Sequence, residues 1–242
     1  MKYSIIIPTL NEEKLLPNLL KQLTKPLLKE KYDYEIIISD GGSNDKTVEI
    51  AQSFSDIVRV HINRDKQNIA LGRNEGFRFS KGDILIFLNG DILIDNVEKF
   101  FDYIERNFID LYYAAMTCKV KVFKDEEKIS DIIFHSIYNT YFCLLNLIGV
   151  GMGRGECQVI KRKFFEMVDG NNVNLSAGED FDLFKRIRKH GKILFANNLC
   201  VYESPRRYRK LGYSGVTWSW IKNSISIIFK NKSLSKEWEQ VR

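Results

Sequence analysis

The sequence predicts an α/β domain with a mainly parallel central sheet flanked by helices, followed by a smaller half of mixed structure. Short apolar runs alternate with helix-like segments over residues 1–110 of the 242-residue chain. The run at 84–88 is apolar throughout, which is typical of a central parallel strand covered on both faces. Hydrophobic residues make up 44% of the chain and charged residues 28%, a composition that excludes global disorder and low-complexity structure.

The first strand–helix–strand unit is predicted from two β-branched runs with a leucine pattern between them. Residues 4–7 form a strand that ends at Pro8, and residues 35–39 form the second strand. Asn11 is predicted to cap the intervening helix, because its side chain can accept hydrogen bonds from free N–H groups at a helix start. The leucines at helical spacing along this helix are Leu15, Leu16, Leu19, Leu20 and Leu23.

Two further helices and strands complete the predicted first half. Ser43 or Asn44 is expected to cap a helix, residues 58–62 to form the third strand, and residues 68–80 to form the helix before the fourth strand. The apolar face of the first of these helices consists of Val48, Ala51 and Phe54. The small residues of the second, which allow close packing, are Gly72 and Gly76. The resulting order is βαβαβαβ, and ligands of such sheets bind at the carboxyl ends of the strands.

The second half is less regular. Residues 111–123 and 192–196 are predicted to be strands, and residues 178–190 a helix with one apolar face. That face consists of Phe181, Phe184 and Ile187. We divide the chain into a first half at 1–110, a second half of the same domain at 111–217, and an amphipathic helical tail at 218–242.

Two segments of the second half raise the question of a membrane. Residues 132–153 carry no charged side chain over 22 positions, which requires a transmembrane helix to be considered. Polar residues argue against spanning, so a helix packed in the protein or lying at a membrane interface is predicted. These polar residues are His135, Ser136, Asn139, Thr140 and Asn146.

The tail has an apolar stripe of Trp218, Ile221, Ile225, Ile228 and Phe229, flanked by Lys222, Lys230 and Lys232. Core packing and membrane-surface contact both remain open for this stripe.

The overall charge and the cysteines limit the possible partners. Lys and Arg exceed Asp and Glu by 37 − 31 = +6, which favours anionic partners such as nucleotide phosphates, nucleic acid or an acidic membrane. No nucleic-acid-binding module is recognisable, so none is predicted as a partner. No cysteine pair has zinc-ribbon or redox spacing. No signal peptide precedes the first strand, so a cytoplasmic location is expected, with peripheral contact to the cytoplasmic face of a membrane.

Chemistry-bearing residues cluster at the predicted strand ends. Asp40 begins a glycine turn in which Gly42 lets the backbone approach a ligand. Asp91 follows the apolar fourth strand, where a carboxylate can hold Mg²⁺ or Mn²⁺. Asp180 opens a helix and can act as a general base. Each pattern taken alone is better explained as an ordinary turn or helix start. A cationic run that can clamp phosphates, or simply be solvated, contains Arg206 and Arg207.

Taken together and in order, these segments resemble a family 2 glycosyltransferase of the GT-A fold. The matching segments are S-I-I-I-P-T-L-N-E-E at 4–13, E-I-I-I-S-D-G-G-S-N-D-K-T at 35–47, R-N-E-G at 73–76, G-D-I-L-I-F-L-N-G-D at 82–91 and G-E-D at 178–180. The resemblance spans positions 4 to about 210. It implies an inverting enzyme that moves a sugar from a UDP- or GDP-sugar to a hydroxyl acceptor, which is a sugar, a protein or a lipid-linked molecule.

The resemblance also assigns roles to residues. It implies that Asp180 is the catalytic base with Glu179 beside it, that Asp40 binds the base or ribose, and that Asp91 reaches a Mn²⁺ or Mg²⁺ ion and the diphosphate. The other residues implied in donor binding are Pro8, Thr9, Asn11, Glu12, Gly42, Arg73, Asn89 and Gly90, with Arg206 and Arg207 on the phosphates.

The sequence departs from the family pattern at two points. Asn89 stands where the family's D-x-D motif has its first acid, so we expect weak metal binding. A histidine often found downstream of the E-D pair as a metal ligand is not evident, and Glu203 stands near that place. Either Glu203 replaces it, or Arg206 and Arg207 take over part of the metal's charge. Two alternatives stay open: a sugar-phosphate nucleotidyltransferase, and a nucleotide-sugar-binding regulatory protein without turnover.

Overall fold

The structure is a computed structural model that describes residues 1–61, 68–230 and 232, and for 228–230 the backbone alone. In chain order the strands are β1 (Tyr3–Thr9), β2 (Tyr34–Asp40), β3 (Ile57–Val60), β4 (Ile84–Leu88), β5 (Ile92–Ile94), β6 (Tyr113–Val122), β7 (Cys157–Lys161) and β8 (Lys192–Glu203). The helices are α1 (Leu16–Leu23), α2 (Pro26–Lys31), α3 (Thr47–Phe54), α4 (Ile69–Arg78), α5 (Val97–Ile104), α6 (Ile129–Leu147), α7 (Arg162–Met167), α8 (Glu179–Arg188) and α9 (Arg206–Lys230), with a π-helical segment at Glu105–Ile109.

The described strands form a single mixed sheet in the order β3-β2-β1-β4-β7-β6-β8-β5. Strands β3, β2, β1 and β4 run parallel to one another. Strand β7 is antiparallel to both β4 and β6, β8 is parallel to β6, and β5 is antiparallel to β8. The predicted α/β class, with a parallel first half and a mixed second half, is confirmed. The division at residues 110 and 217 stays a prediction.

Alternating side chains of β1 explain why this sheet is covered on both faces. Ile5 and Ile7 pack with the leucines of α1 and with Phe101, whereas Ile6 packs on the opposite face with Phe165 and other buried side chains. Successive side chains of a strand point to opposite faces, so an uninterrupted apolar strand needs helices on both sides. The parallel register places Thr9 opposite Asp40, which brings the carboxyl ends of β1 and β2 together.

The predicted caps of α1 and α3 are wrong. Asn11 adopts a left-handed conformation with φ of 54°, and α1 starts only at Leu16. Its side chain instead accepts a hydrogen bond of 2.8 Å from the backbone N–H of Asn44. The helix α3 starts at Thr47 with no side-chain cap, because Ser43 is engaged by the turn before it. Asparagine and serine form such turn hydrogen bonds as readily as helix caps, so sequence alone does not distinguish them.

Other predicted elements agree with the structure within a few residues. The helix predicted at 68–80 is α4, in which Asn68 is the N-cap and accepts from the N–H of Leu71. The strands predicted at 111–123 and 192–196 are β6 and the start of β8. The third predicted strand is β3, and its last predicted residue, Ile62, lies outside the described residues.

The two long helices of the second half lie beside each other. Ring contacts join Phe134 and Tyr138 on α6 to Trp220 on α9, and Gly212 interrupts α9 with φ of 69°. Most of the uncharged stretch at 132–153 lies in α6. Among the described helices, none has the length and apolar character needed to cross a membrane.

Candidate active site

A cavity of about 1700 Å³ opens at the carboxyl ends of β1, β2 and β4 and continues between α6 and α9. All of the site residues predicted from the sequence line this cavity, except Asp40. The lining residues among them are Pro8, Thr9, Asn11, Glu12, Gly42, Arg73, Asn89, Gly90, Asp91, Glu179, Asp180, Arg206 and Arg207. The loops that follow the parallel strands β1, β2 and β4 therefore form one wall of the cavity. The second half of the chain forms the other walls.

Asp40 lies beneath the cavity wall and organises it. Its side chain is fully buried and accepts four hydrogen bonds, from the backbone N–H groups of Gly42 and Ser43 and from the hydroxyls of Ser43 and Thr9, at 2.6–2.9 Å. Gly42 has φ of 92°, a conformation that favours glycine. The carboxylate thus fixes the turn that faces the cavity, whereas the sequence assigned it a direct contact with the base or ribose.

Arg73 joins three parts of the chain beneath the cavity. Its guanidinium donates to Glu179 at 2.9 Å, to the side-chain oxygen of Asn89 at 3.2 Å and to the carbonyl of Gly155 at 2.8 Å. The Arg73 side chain is 0% exposed, so its ion pair with Glu179 is shielded from water. A buried charge is tolerated only when it is paired and hydrogen-bonded, and here both conditions are met.

Asp180 stands at the start of α8 with an elevated proton affinity. Burial, followed by the negative charge of Glu179, raises the pKa of Asp180 to about 7, although Arg73 opposes the shift. One carboxylate oxygen accepts from the N–H of Phe181 at 2.8 Å. Gly178, the residue before the first residue of α8, has φ of 77°, which lets the chain turn sharply into the helix. A half-buried carboxylate with this pKa, facing a cavity, can accept a proton near neutral pH.

Arg206 holds two carboxylates together at the other side of the cavity. Its Nη2 atom donates to Glu12 at 2.7 Å and to Asp91 at 2.9 Å. Asp91 is the predicted metal ligand, and the side-chain oxygen of Asn89 is engaged by Arg73. Within the described ranges, no three acidic, histidine or cysteine side chains group as metal ligands. Two carboxylates are held here by one guanidinium, and Asn89 adds no charge, so the donor set fits the guanidinium better than a divalent ion.

A second buried charge cluster, not predicted as a unit, lines the cavity near Asp180. Arg154 donates to Glu156 at 3.1 Å and to Glu203 at 3.0 Å, and the hydroxyl of Tyr208 donates to Glu203 at 2.7 Å. Burial and the charge of Glu156 raise the pKa of Glu203 to about 8, despite Arg154. Among the described residues, Nη1 of Arg154 has no hydrogen-bond partner. The only sequence signal was a pair of charges between glycines, G-R-G-E at 153–156.

The part of the cavity between α6 and α9 is apolar and opens at the surface. Exposed apolar side chains form its walls, in contrast to the charged end beside Asp91. They are Ile137, Tyr141, Trp218, Ile221 and Ile225. The arrangement offers a polar chamber with a carboxylate base and arginines, joined to an apolar groove.

Comparison with known proteins was made against family models, curated sequences and solved structures. Residues 4–168 match the family model for glycosyl transferase family 2. A Haemophilus influenzae protein described as an uncharacterized glycosyltransferase is 32% identical over 187 residues, covering 76% of this chain and 61% of its own length. The undecaprenyl-phosphate 4-deoxy-4-formamido-L-arabinose transferase of Pseudomonas fluorescens is 37% identical over 95 residues, which is 37% of this chain and 27% of the relative. The chain thus spans less than two thirds of these relatives.

Solved structures support the fold. A mannosyltransferase from Pyrobaculum calidifontis, in complex with GDP-Man and Mn²⁺, aligns with a TM-score of 0.70 at 16% identity, covering 90% of this chain and 59% of that one. Residues 1–349 of S. aureus TarS in complex with UDP-GlcNAc align with a TM-score of 0.62 at 17% identity, covering 84% of this chain and 58% of that one. At these identities the likeness concerns the fold, and both folds are GT-A glycosyltransferase folds.

Proposed function

The chain belongs to glycosyl transferase family 2, and on this premise we propose that it moves a sugar from a UDP- or GDP-sugar to a hydroxyl acceptor with inversion. The observation that carries the proposal is the placement of Asp180, with its pKa of about 7, in the same cavity as the strand-end residues and Arg206. Solved relatives that bind GDP-Man or UDP-GlcNAc support a nucleotide-sugar donor.

In the proposed donor site, the loops after β1, β2 and β4 receive the nucleotide. The turn fixed by Asp40 presents Gly42, and Pro8, Thr9 and Asn11 line the adjacent wall. Glu12, Asn89 and Gly90 also line the cavity, and Glu12 contacts Arg206. Arg73 acts from below, by holding Asn89 and Glu179 in place. Preorganised polar groups of this kind reduce the reorganisation that ligand binding and reaction require.

The proposed reaction is a single in-line displacement at the anomeric carbon. The acceptor oxygen forms a bond to that carbon while the bond from the carbon to the diphosphate oxygen breaks and its electron pair moves onto the diphosphate. The hydroxyl proton passes to Asp180. The products are the glycosylated acceptor and the nucleoside diphosphate, and attack from the face opposite the leaving group inverts the anomeric configuration.

We further propose an acceptor that carries a hydrophobic chain. The apolar groove between α6 and α9 leads away from the chamber that contains Asp180, so a polar head group and an apolar chain can bind together. The named activity of the Pseudomonas relative, transfer onto undecaprenyl phosphate, supports this class of acceptor. Soluble sugar and protein acceptors remain the alternatives.

The orientation of α6 supports contact with a membrane surface. Its buried face contains Asp131, His135, Asn139, Phe142 and Asn146, whereas its exposed face is apolar. Asn139 exchanges two hydrogen bonds with the backbone of Val120, and Asn146 exchanges two with the backbone of Met152. These bonds hold the polar side inwards, so the apolar side faces outwards. An exposed apolar patch of this extent marks an interaction surface.

The divalent ion predicted from the sequence, Mn²⁺ or Mg²⁺, has no step in this proposal. Asp91, its predicted ligand, is paired with Arg206, and Asn89 contributes no charge. The Mn²⁺ in the Pyrobaculum structure belongs to that protein. Cytoplasmic location with peripheral membrane contact likewise stays a prediction.

The catalytic proposal is tested with Asp180→Asn. We expect calorimetric titration with UDP, GDP and their sugars to show one preferred nucleotide, bound equally by wild type and variant. Release of that nucleotide in the presence of a membrane lipid extract is expected to fall about 10²–10⁴-fold in the variant, because the amide cannot accept the proton.

Lys189→Ala, a change at the exposed residue that caps the C-terminus of α8 and is absent from the cavity lining, is the control for helix integrity. Near-normal turnover by Asp180→Asn would remove Asp180 from the role of base. Nucleotide binding without any turnover by the wild type would favour a regulatory protein.

A further inference from the structure

The contact between Arg206, Glu12 and Asp91 concerns how the negative charge of the donor is balanced. One nitrogen, Nη2, donates to both carboxylates, at 2.7 Å and 2.9 Å. The Arg206 side chain is 22% exposed, and the residue lines the cavity. Both bonds start from Nη2. The two carboxylates therefore fix the orientation of the guanidinium without using the N–H groups on its other two nitrogens.

The charged side chains around Glu12 and Asp91 fit a cation of charge +1, such as arginine, better than a divalent ion. Glu12 and Asp91 contribute two negative charges, and Arg206 with Arg207 contributes two positive charges, so the four side chains sum to zero. A third carboxylate at position 89 would leave the group negative and would repel a diphosphate. Asn89 avoids this, and its side-chain oxygen is used by Arg73. An asparagine here therefore suits a site whose cation is an arginine.

We propose that Arg206 supplies, at the position of Asp91, the positive charge that binds and stabilises the donor's diphosphate, so that nucleotide binding needs no divalent ion. This inference rests on the proposed nucleotide-sugar donor. Guanidinium–phosphate hydrogen bonds are charge-assisted and geometrically defined, which is the property required of a charge sink on a leaving diphosphate. Glu12 and Asp91 act as positioning residues that hold Arg206 in the cavity.

The test is nucleotide binding with and without metal, measured by calorimetry on the full chain. UDP and GDP are titrated in EDTA and in Mn²⁺. For the preferred nucleotide, we expect dissociation constants that differ by less than about threefold between the two conditions, well under the tenfold change that 1.4 kcal/mol represents. Arg206→Ala should weaken binding in EDTA about tenfold or more, because charge-assisted hydrogen bonds are lost.

A second readout follows the metal itself. In Arg206→Ala the carboxylates of Glu12 and Asp91 lose the cation between them, so Mn²⁺ is expected to enter. The electron paramagnetic resonance signal of free Mn²⁺ should remain unchanged on adding wild-type protein and should decrease on adding the variant. Mn²⁺ should also restore part of the variant's nucleotide binding. Arg206→Lys, which keeps one charge, should retain more binding in EDTA than Arg206→Ala.

Arg78→Ala is the matched control, because Arg78 is exposed on α4 and pairs with Glu75 outside the cavity. Thermal melting of each variant establishes that it is folded. Wild-type protein that binds nucleotide only with Mn²⁺, and that depletes free Mn²⁺, would overturn the role of Arg206 while leaving the donor proposal intact. Failure of the folded wild type to bind any nucleotide in either condition would overturn both.

Discussion

Asp180 and Glu179 are adjacent acids with different surroundings, and this difference supports the separate roles proposed for them. Glu179 is neutralised by the buried Arg73 at 2.9 Å, whereas Asp180 faces the cavity and accepts a hydrogen bond from the backbone N–H of Phe181. The charge of Glu179 adds to the effect of burial on Asp180. Two carboxylates whose environments separate their proton affinities provide one structural anion and one base.

This arrangement predicts the pH dependence of the enzyme. The base acts only when ionised, and the pKa of Asp180 is about 7. The rate constant kcat/KM should therefore rise about tenfold between pH 6 and pH 8 and then level off. Glu179→Gln removes a negative charge beside Asp180, so the midpoint of the rise should move to lower pH. Steady-state rates of nucleotide release across this range measure both midpoints, and an unchanged midpoint in Glu179→Gln would contradict the coupling.

At the residue scale, the sequence predicted the cavity-lining residues well and their individual contacts poorly. Strand ends in a parallel sheet converge, so Thr9, Asn89 and Asp91 were placed together by topology alone. The burial of Asp40 and the pairing of Asp91 with Arg206 depend on how side chains from distant segments compete for the same partner. That competition has no local sequence signal, and the Arg154 cluster has only the G-R-G-E stretch at 153–156.

At the scale of single elements, α4 illustrates how small residues determine packing. This helix crosses β1 and β2 so closely that a methyl group at position 76 would overlap Cγ2 of Ile6. Ile6 is fully buried and cannot move aside easily. At position 72 the nearest atom to a methyl group would be Cβ of Pro8, at 3.1 Å. The two glycines allow the close approach that places Arg73 beneath the cavity.

Gly76→Ala should therefore destabilise the protein, although alanine is the better helix former. Overpacking a core costs about 1–3 kcal/mol, while the helix propensity of alanine returns about 1 kcal/mol. We expect a net loss of stability in urea-induced unfolding. Gly215→Ala in α9 is the control, because its nearest contact is Cβ of Leu211 at 3.8 Å, and this variant should be neutral or stabilised. Equal effects in the two variants would contradict the packing argument.

The types of the elements were predictable because apolar residues recur with a clear period in the strands and helices. The residues at which the helices start were less predictable. The leucine pattern identified α1 correctly and its cap incorrectly, since Asn11 bonds to the loop after β2. The strand β8 continues to Glu203, beyond the predicted 192–196, because it pairs along its length with β6 and β5. Pairing partners far away in sequence set such boundaries.

At the scale of the whole molecule, many of the exposed apolar side chains of the described residues are concentrated on α6 and α9. This apolar surface combines the outward face of α6 with Trp218, Ile221 and Ile225 of α9, and it surrounds the open end of the groove. The side chains of Ile228 and Phe229, predicted to extend this stripe, lie outside the described residues. Lys222 lies over the ring of Trp218, as expected of a cation at the edge of an apolar surface.

If this surface binds lipid, acidic substitutions on it should release the protein from vesicles. In flotation with vesicles of phosphatidylcholine and phosphatidylglycerol, we expect the double variant Ile133→Glu/Leu144→Glu to bind at least about a hundredfold less, since burying each of the two side chains is worth about 1.5–3 kcal/mol. The substituted residues are exposed, so melting temperature should change little. Leu27→Glu on α2, which is also exposed but lies outside this surface, is the control. Wild-type protein that does not float would instead indicate that protein covers the face.

The bond between Arg206 and Glu12 joins residues 194 positions apart, and this separation has a consequence during translation. The segments that carry Glu12 and Asp91 leave the ribosome well before the guanidinium that lies between them in the folded chain. A nascent chain, or one truncated before residue 206, presents two like charges to an entering anionic ligand. Capture of the nucleotide would therefore report that synthesis has passed this point.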